Sequence, residues 1–211
     1  MRRILIVAAI SMLLVSTWIA LMLGRIEPVQ RNIIYAHIPS SICALLCFAV
    51  LLVASICYLR TTKPQWDIMA AAAAEVGMIF ATILNLTGMI FSRAEWGVWW
   101  TPSPRLISSG LLWFLFIVYL ILRSSIRGPR HLQGRVCAVF GIIAFLDVPM
   151  VFISARFIPD VHRANFSFDS GWQNLALFMG IGAMMLLAAV FIWLKTDILK
   201  NQHKLEKESA C

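Results

Sequence analysis

Four histidines punctuate the chain, and two of them stand where an imidazole could act as a ligand. His37 lies in Tyr35-Ala36-His37-Ile38-Pro39, and His162 in Asp160-Val161-His162-Arg163. Neutral imidazoles are general metal ligands, and two of them on opposite faces of a porphyrin fill both axial positions of its iron. Pro39 is expected in the first turn of a helix, because its missing N–H costs nothing there. The other reading of an isolated histidine at a membrane surface is a hydrogen bond to a carbonyl or a lipid headgroup. A third segment bears on the choice: Trp96-Gly97-Val98-Trp99-Trp100-Thr101-Pro102-Ser103-Pro104-Arg105. In a helix, Trp96, Trp99 and Trp100 fall at i, i+3 and i+4 on one face and form an apolar platform suited to a flat macrocycle. Pro102 and Pro104 would end that helix, and Arg105 offers a planar donor to a carboxylate such as a propionate. The plainer alternative is a belt of tryptophans at headgroup depth with Arg105 snorkelling beside them.

Two acids fall inside long apolar runs, Glu75 after Ala70–Ala74 and Asp147 just before Pro149. Carboxylates in such places are costly, which makes both functional suspects. Glu75, near the cytoplasmic end, is expected to snorkel or to pair with Lys63 or Arg135. Pro149 should deprive the Phe145 carbonyl of its helical donor, giving a kink and a polar cluster about Asp147. Cys43 and Cys47, four apart, read as small packing residues, and Asn85, Thr87 and Gly88 as interhelical hydrogen bonding and close packing. The chain contains no C-x-x-C, so it is not itself a c-type cytochrome. It also contains no phosphate loop, no metal-hydrolase motif and no evident nucleophile with a base, which points to a carrier rather than an enzyme.

What must position these residues follows from composition. Of 211 residues, 61% are hydrophobic and 13% charged, against about 45–50% and roughly a quarter in soluble domains. An ordinary soluble enzyme, a disordered chain and a disulfide scaffold are thereby excluded, leaving an all-α integral membrane protein. Runs of about 20 apolar residues, the length a spanning helix needs, predict six helices near 4–23, 35–59, 68–91, 106–122, 136–155 and 172–194. They form a single membrane domain over 1–211, closed by a polar tail at 195–211. The first run follows Arg2 and Arg3 as a signal peptide would, but it is long and lacks a small-residue cleavage site, so it reads as a retained anchor.

The net charge of +8 is then a statement about topology. Twelve lysines and arginines fall on the N-terminus, the second and fourth loops and the tail, and six on the remaining loops. Positive loops stay in the cytoplasm, so both termini are expected there. The loops near 24–34, 92–105 and 156–171 then face outward; the last two carry the tryptophan segment and His162, and His37 lies at the outer surface at the start of the second helix. His131 and His203 fall on the cytoplasmic side.

Six helices, Tyr-x-His-x-Pro at 35–39, Trp-Gly-x-Trp-Trp at 96–100, Arg105-Leu106, and Pro149 followed by His162 occur in an order that resembles the haem exporter protein C (CcmC) family over nearly the whole chain. The resemblance implies a multi-pass protein of the bacterial inner membrane that serves c-type cytochrome maturation. It further implies that His37 and His162 are axial ligands of transiently bound haem, with Trp96, Trp99 and Trp100 as platform. The implied partners are a periplasmic haem chaperone, ATP-binding cassette exporter subunits and a small single-span subunit. One departure is evident. The family's loop continues Trp-Trp-x-Trp-Asp-x-Arg, whereas Pro102 and Ser103 stand here in place of the last Trp and the Asp. Arg105, Arg31 and Arg163 are the arginines placed to meet propionates.

Two rival functions use the same residues differently. An electron-transferring cytochrome b subunit also holds haem between paired histidines, but deep within its helices rather than near their ends. A cofactor-free solute permease would be built around Glu75 and Asp147. A full haem lyase is a third possibility, but that family is generally larger, with an added periplasmic domain.

Overall fold

The computed structural model describes residues 2–27, 29–150, 153 and 170–209. Six helices long and apolar enough to cross a membrane account for most of them, as expected. Here α1 is Arg2–Met22, α2 Ile34–Thr61, α3 Pro64–Trp96, α4 Pro104–Ser125, α5 Arg130–Ala144 and α6 Gly171–Ser209, with a short 3-10 helix at Val29–Ile33 leading into α2. The predicted spans overlap these helices, but α3 and α6 run well past the predicted limits, and α5 begins at Arg130 and ends at Ala144 within the predicted 136–155, whose last residues lie mostly outside the described ones. The polar tail is not a separate segment, because α6 continues through it to Ser209.

The helix ends have local causes. Thr62 takes a left-handed conformation, φ 54°, closing α2, and Pro64 opens α3 in the first turn, where its missing N–H is harmless. Ser170 and Gln173 cap α6 reciprocally: Ser170 Oγ accepts from the Gln173 N–H at 3.2 Å, and Gln173 Oε1 accepts from the Ser170 N–H at 3.3 Å. That Ser-x-x-Gln capping box is legible in the sequence once its meaning is known.

The core lies between α2 and α3. The Ala70–Ala74 run is at most 2% exposed and presents no bulk, so α2 sits close against it. Phe48 and Leu51 of α2 meet Phe116 and Tyr119 of α4 over those alanines. Cys43 and Cys47 are buried packing residues, as predicted. The antiparallel pair α1 and α6 is fixed by Ser16 Oγ, which donates to the Ala176 carbonyl at 2.7 Å.

At the end of the bundle away from His37, Arg123 donates two hydrogen bonds to Asp67, Nη1 to Oδ1 at 2.7 Å and Nη2 to Oδ2 at 2.8 Å. Both side chains are largely buried, at 17% and 12% exposed. Asp67 stands in the first turn of α3 and Arg123 in the last turn of α4, so each also meets the favourable end of its own helix dipole. Gln133 Nε2 donates to the Arg123 carbonyl at 2.6 Å, bringing α5 into the same knot.

Two expectations about acids are corrected here. Glu75 pairs with neither Lys63 nor Arg135; Lys195 Nζ lies 2.5 Å from its Oε2, because the extension of α6 carries that lysine to it. The pair is about one-third exposed, so Glu75→Gln is expected to lower stability by less than about 1 kcal/mol, read from thermal unfolding in detergent. At Asp147, α5 ends at Ala144, a turn occupies 145–146, and helical structure resumes at Asp147. The Phe145 carbonyl is not orphaned, since it accepts from the Val148 N–H at 3.0 Å. No polar cluster surrounds Asp147 among the described residues: the side chain is 9% exposed and Oδ2 has no hydrogen-bond partner.

Candidate functional site

His37 is held by three elements. Before it, Tyr35 donates its hydroxyl to the Gly24 carbonyl at 2.6 Å, tying the start of α2 to the turn after α1. After it, Pro39 is buried at the sixth residue of α2, not in the first turn as expected, because Ile34 already begins the helix. Next to it, the Ser40 hydroxyl is directed to the carbonyls of Ala36 at 2.7 Å and His37 at 3.0 Å. Across from it on α3, Thr87 Oγ1 lies 3.0 Å from His37 Nδ1.

The direction of that last bond follows from its neighbours. The Thr87 hydroxyl lies 2.6 Å from the Ile83 carbonyl and 3.1 Å from that of Leu84, and a carbonyl can only accept. The single hydroxyl proton is thus directed to the backbone, and Thr87 accepts from Nδ1–H. Nδ1 thus carries a proton, and in the neutral ring the lone pair then lies on Nε2, the form a metal ligand requires. Gly88 provides the room: a Cβ there would stand 3.2 Å from His37 Cε1, so the ring lies close against the α3 backbone.

His37 opens on a cavity of about 270 Å³ between α2, α3 and α4, whose lining includes Trp96, Trp100 and Arg105. The wall is mainly apolar, with Met89, Phe91 and Leu106 among its members and Ser41, Asn85 and Ser109 as polar points. The volume is just under the roughly 300–1,000 Å³ of sites that enclose a small ligand. The cavity suits one edge of a larger flat molecule. Its chemistry combines an imidazole lone pair for a metal, aromatic rings for a macrocycle and a guanidinium for a carboxylate.

The tryptophans reach this arrangement by another route than a shared helix face. The α3 helix stops at Trp96 because Gly97 adopts φ +75°, a left-handed cap whose N–H bonds back to the Arg93 carbonyl. The Arg93 guanidinium holds the Gly97 carbonyl, and Ser92 Oγ donates to that of Val98 at 2.8 Å. Trp99 and Trp100 consequently lie in a bent loop and separate. The Trp100 ring folds back onto α4, its tip 3.1 Å from where a Cβ on Gly110 would be, and lines the cavity. Trp99 is 56% exposed and is not part of the lining. Pro102 and Pro104 are not what ends α3; Pro104 instead opens α4.

Ser103, at the position of the family's Asp, caps α4 by accepting from the Leu106 N–H at 3.4 Å. Asp and Ser are both favoured in that role, so the substitution keeps the cap while removing a charge. Ser103→Ala is expected to cost up to about 1 kcal/mol and Ser103→Asp to cost nothing, as read by thermal unfolding.

Among the other arginines named from the sequence, Arg31 is engaged by Glu95, with Nε to Oε1 at 2.5 Å and Nη2 to Oε2 at 3.0 Å. It clamps the start of α2 to the end of α3 rather than facing the cavity. His162 and Arg163 lie outside the described residues. Of the expected site residues, the structure thus brings together His37, Trp96, Trp100 and Arg105. Thr87 and Gly88 are in contact with the imidazole, and Ser41, Asn85 and Ser109 are polar points of the wall that were not foreseen. Ser41 follows His37 by four residues, a helical spacing that would have flagged it.

Fold and cavity together define a multi-pass helical membrane protein with a partly aromatic binding cavity at one end of its bundle. The family model described as "Heme exporter protein C" matches residues 1–209. The chain therefore belongs to the haem exporter protein C family, which takes part in cytochrome c maturation and handles haem. It is similar to Heme exporter protein C of Rhodobacter capsulatus, 28% identical over 181 residues that cover 82% of this chain and 75% of the relative. The counterpart in Escherichia coli strain K12 is 28% identical over 177 residues, covering 82% and 72%. That of Paracoccus denitrificans is 32% identical over 119 residues, covering 55% and 49%.

Proposed function

We propose that this protein binds haem at the periplasmic face of the bacterial inner membrane and passes it to a periplasmic haem chaperone during c-type cytochrome maturation. His37 Nε2 is one axial ligand and His162 the other. Trp96 and Trp100 cover one edge of the macrocycle, and Arg105 meets a propionate. Trp99, turned outward, is free to meet the receiving protein. The single observation that carries this reading is the His37 imidazole, in contact with Thr87 through Nδ1 and lining a cavity walled by tryptophan and arginine. The placement of twelve of the eighteen lysines and arginines on the termini and alternate loops supports cytoplasmic termini and a periplasmic cavity. In this role the protein works beside ATP-binding cassette exporter subunits and a small single-span subunit.

A bound haem iron with two imidazoles is low-spin and has a distinct visible spectrum. What the chain itself does is orient one imidazole, shield one ring edge and leave the remainder accessible for release. The test is the visible spectrum of protein purified from haem-replete cells. Wild type is expected to show the low-spin bands, and either His37→Ala or His162→Ala to convert them to high-spin bands or abolish them. A wild type that retains no haem under conditions preserving labile haem, or variants with an unaltered spectrum, would rule the reading out.

A further inference from the structure

We infer that Thr87 is a positioning residue for haem binding, setting both the tautomer and the direction of the His37 imidazole; this rests on His37 being an axial ligand. Thr87 is 8% exposed and sits one helix away from His37, fifty residues later in the chain. Its hydroxyl could have served any local purpose, but the three contacts leave one consistent assignment. The carbonyls of Ile83 and Leu84 take its proton, and its oxygen takes the proton of His37 Nδ1. Through one hydroxyl the backbone of α3 thus holds a proton on Nδ1, and Nε2 is the nitrogen a metal would take from the neutral ring.

Gly88 completes the cradle. With no side chain there, the ring rests within 3.2 Å of the position a Cβ would occupy, which limits tilt in the direction Thr87 does not control. The adjacent pair Thr87-Gly88 thus acts as a two-point rest for the ligand. Partners of this kind typically change metal affinity by about 10–100-fold when removed.

The test exploits a difference between two small ligands. In His37→Gly protein supplied with haem, added imidazole can coordinate iron and still donate an N–H to Thr87, whereas 1-methylimidazole can coordinate but has no N–H to give. Each is titrated while the conversion to the low-spin spectrum is followed. Imidazole is expected to bind about tenfold more tightly than 1-methylimidazole, the low end of the range for such partners. In His37→Gly/Thr87→Val the preference should fall to about twofold or less, and in His37→Gly/Thr87→Ser it should return.

Equal affinities with Thr87 present overturn the inference. So does a preference that survives Thr87→Val, since Val matches Thr in shape and the effect would then be steric. A His37→Gly protein that keeps the wild-type spectrum and ignores both ligands removes the axial-ligand reading itself, and the inference with it. Should the His37→Gly background not fold, Thr87→Val and Thr87→Ser are compared with His37 intact. About a tenfold loss of haem affinity in the first and recovery in the second supports Thr87, and equal affinities overturn it.

Discussion

Arg123→Ala is expected to destabilise the protein by about 3–5 kcal/mol, enough to abolish a folded fraction at moderate temperature in detergent. The change leaves Asp67, 12% exposed in the first turn of α3, without its bidentate partner. A carboxylate so placed cannot recover the lost bonds from water. The knot that Gln133 makes with the Arg123 carbonyl keeps α4 and α5 together, but a backbone bond does not neutralise Asp67. The informative comparison is Asp67→Leu with Arg123→Met. Removing both charges together should restore most of the stability, because the large loss comes from isolating one charge, not from forgoing the pair. Thermal unfolding of the purified variants measures both. A single variant within about 1 kcal/mol of wild type would show that the pair is no more than a surface contact.

Gly88→Val has the second large effect, on binding rather than on folding. A valine Cβ would meet His37 Cε1 at 3.2 Å, and its two methyl groups would extend further toward the ring. The imidazole must swing away from α3, breaking the 3.0 Å contact with Thr87 and moving Nε2 with the ring. Haem affinity is expected to fall at least about tenfold, with high-spin bands replacing low-spin ones, although both histidines are retained. Gly88→Ala requires a displacement of only a few tenths of an ångström and should have an intermediate effect. An unaltered haem spectrum for Gly88→Val would mean that the ring does not need its place against α3.

Much of the architecture was legible because a membrane reduces a helix to a run of apolar residues, and six such runs are plain to read. Their limits were less so. Solvated turns such as those at either end of α3, and those of α6 beyond Lys195, carry polar residues that a hydropathy scan assigns to loops. Trp96, Trp99 and Trp100 show the local failure. Their spacing fits one helix face, yet a single left-handed Gly97 cancels that periodicity and sends Trp99 and Trp100 apart. A glycine in a helical pattern has many uses, so its role was decided only by the bonds from Ser92 and Arg93 that hold the loop. His37 was found from its type and motif. Thr87 was read only as interhelical adhesive, since no sequence pattern links residues fifty apart. Arg123 was counted as a topological charge, and its buried partner depends on how α3 and α4 meet.

The 39 residues of α6 make a rod about 58 Å long at 1.5 Å per residue, nearly twice the roughly 30 Å of a bilayer's hydrocarbon core. Near Gly171 it leans on α1, and 24 residues further on Lys195 fastens it to Glu75. Ser16 ties it to α1 near Gly171 and Glu75 holds it at Lys195, so the 14 residues after Lys195 form an overhang about 21 Å long beyond the second fastening.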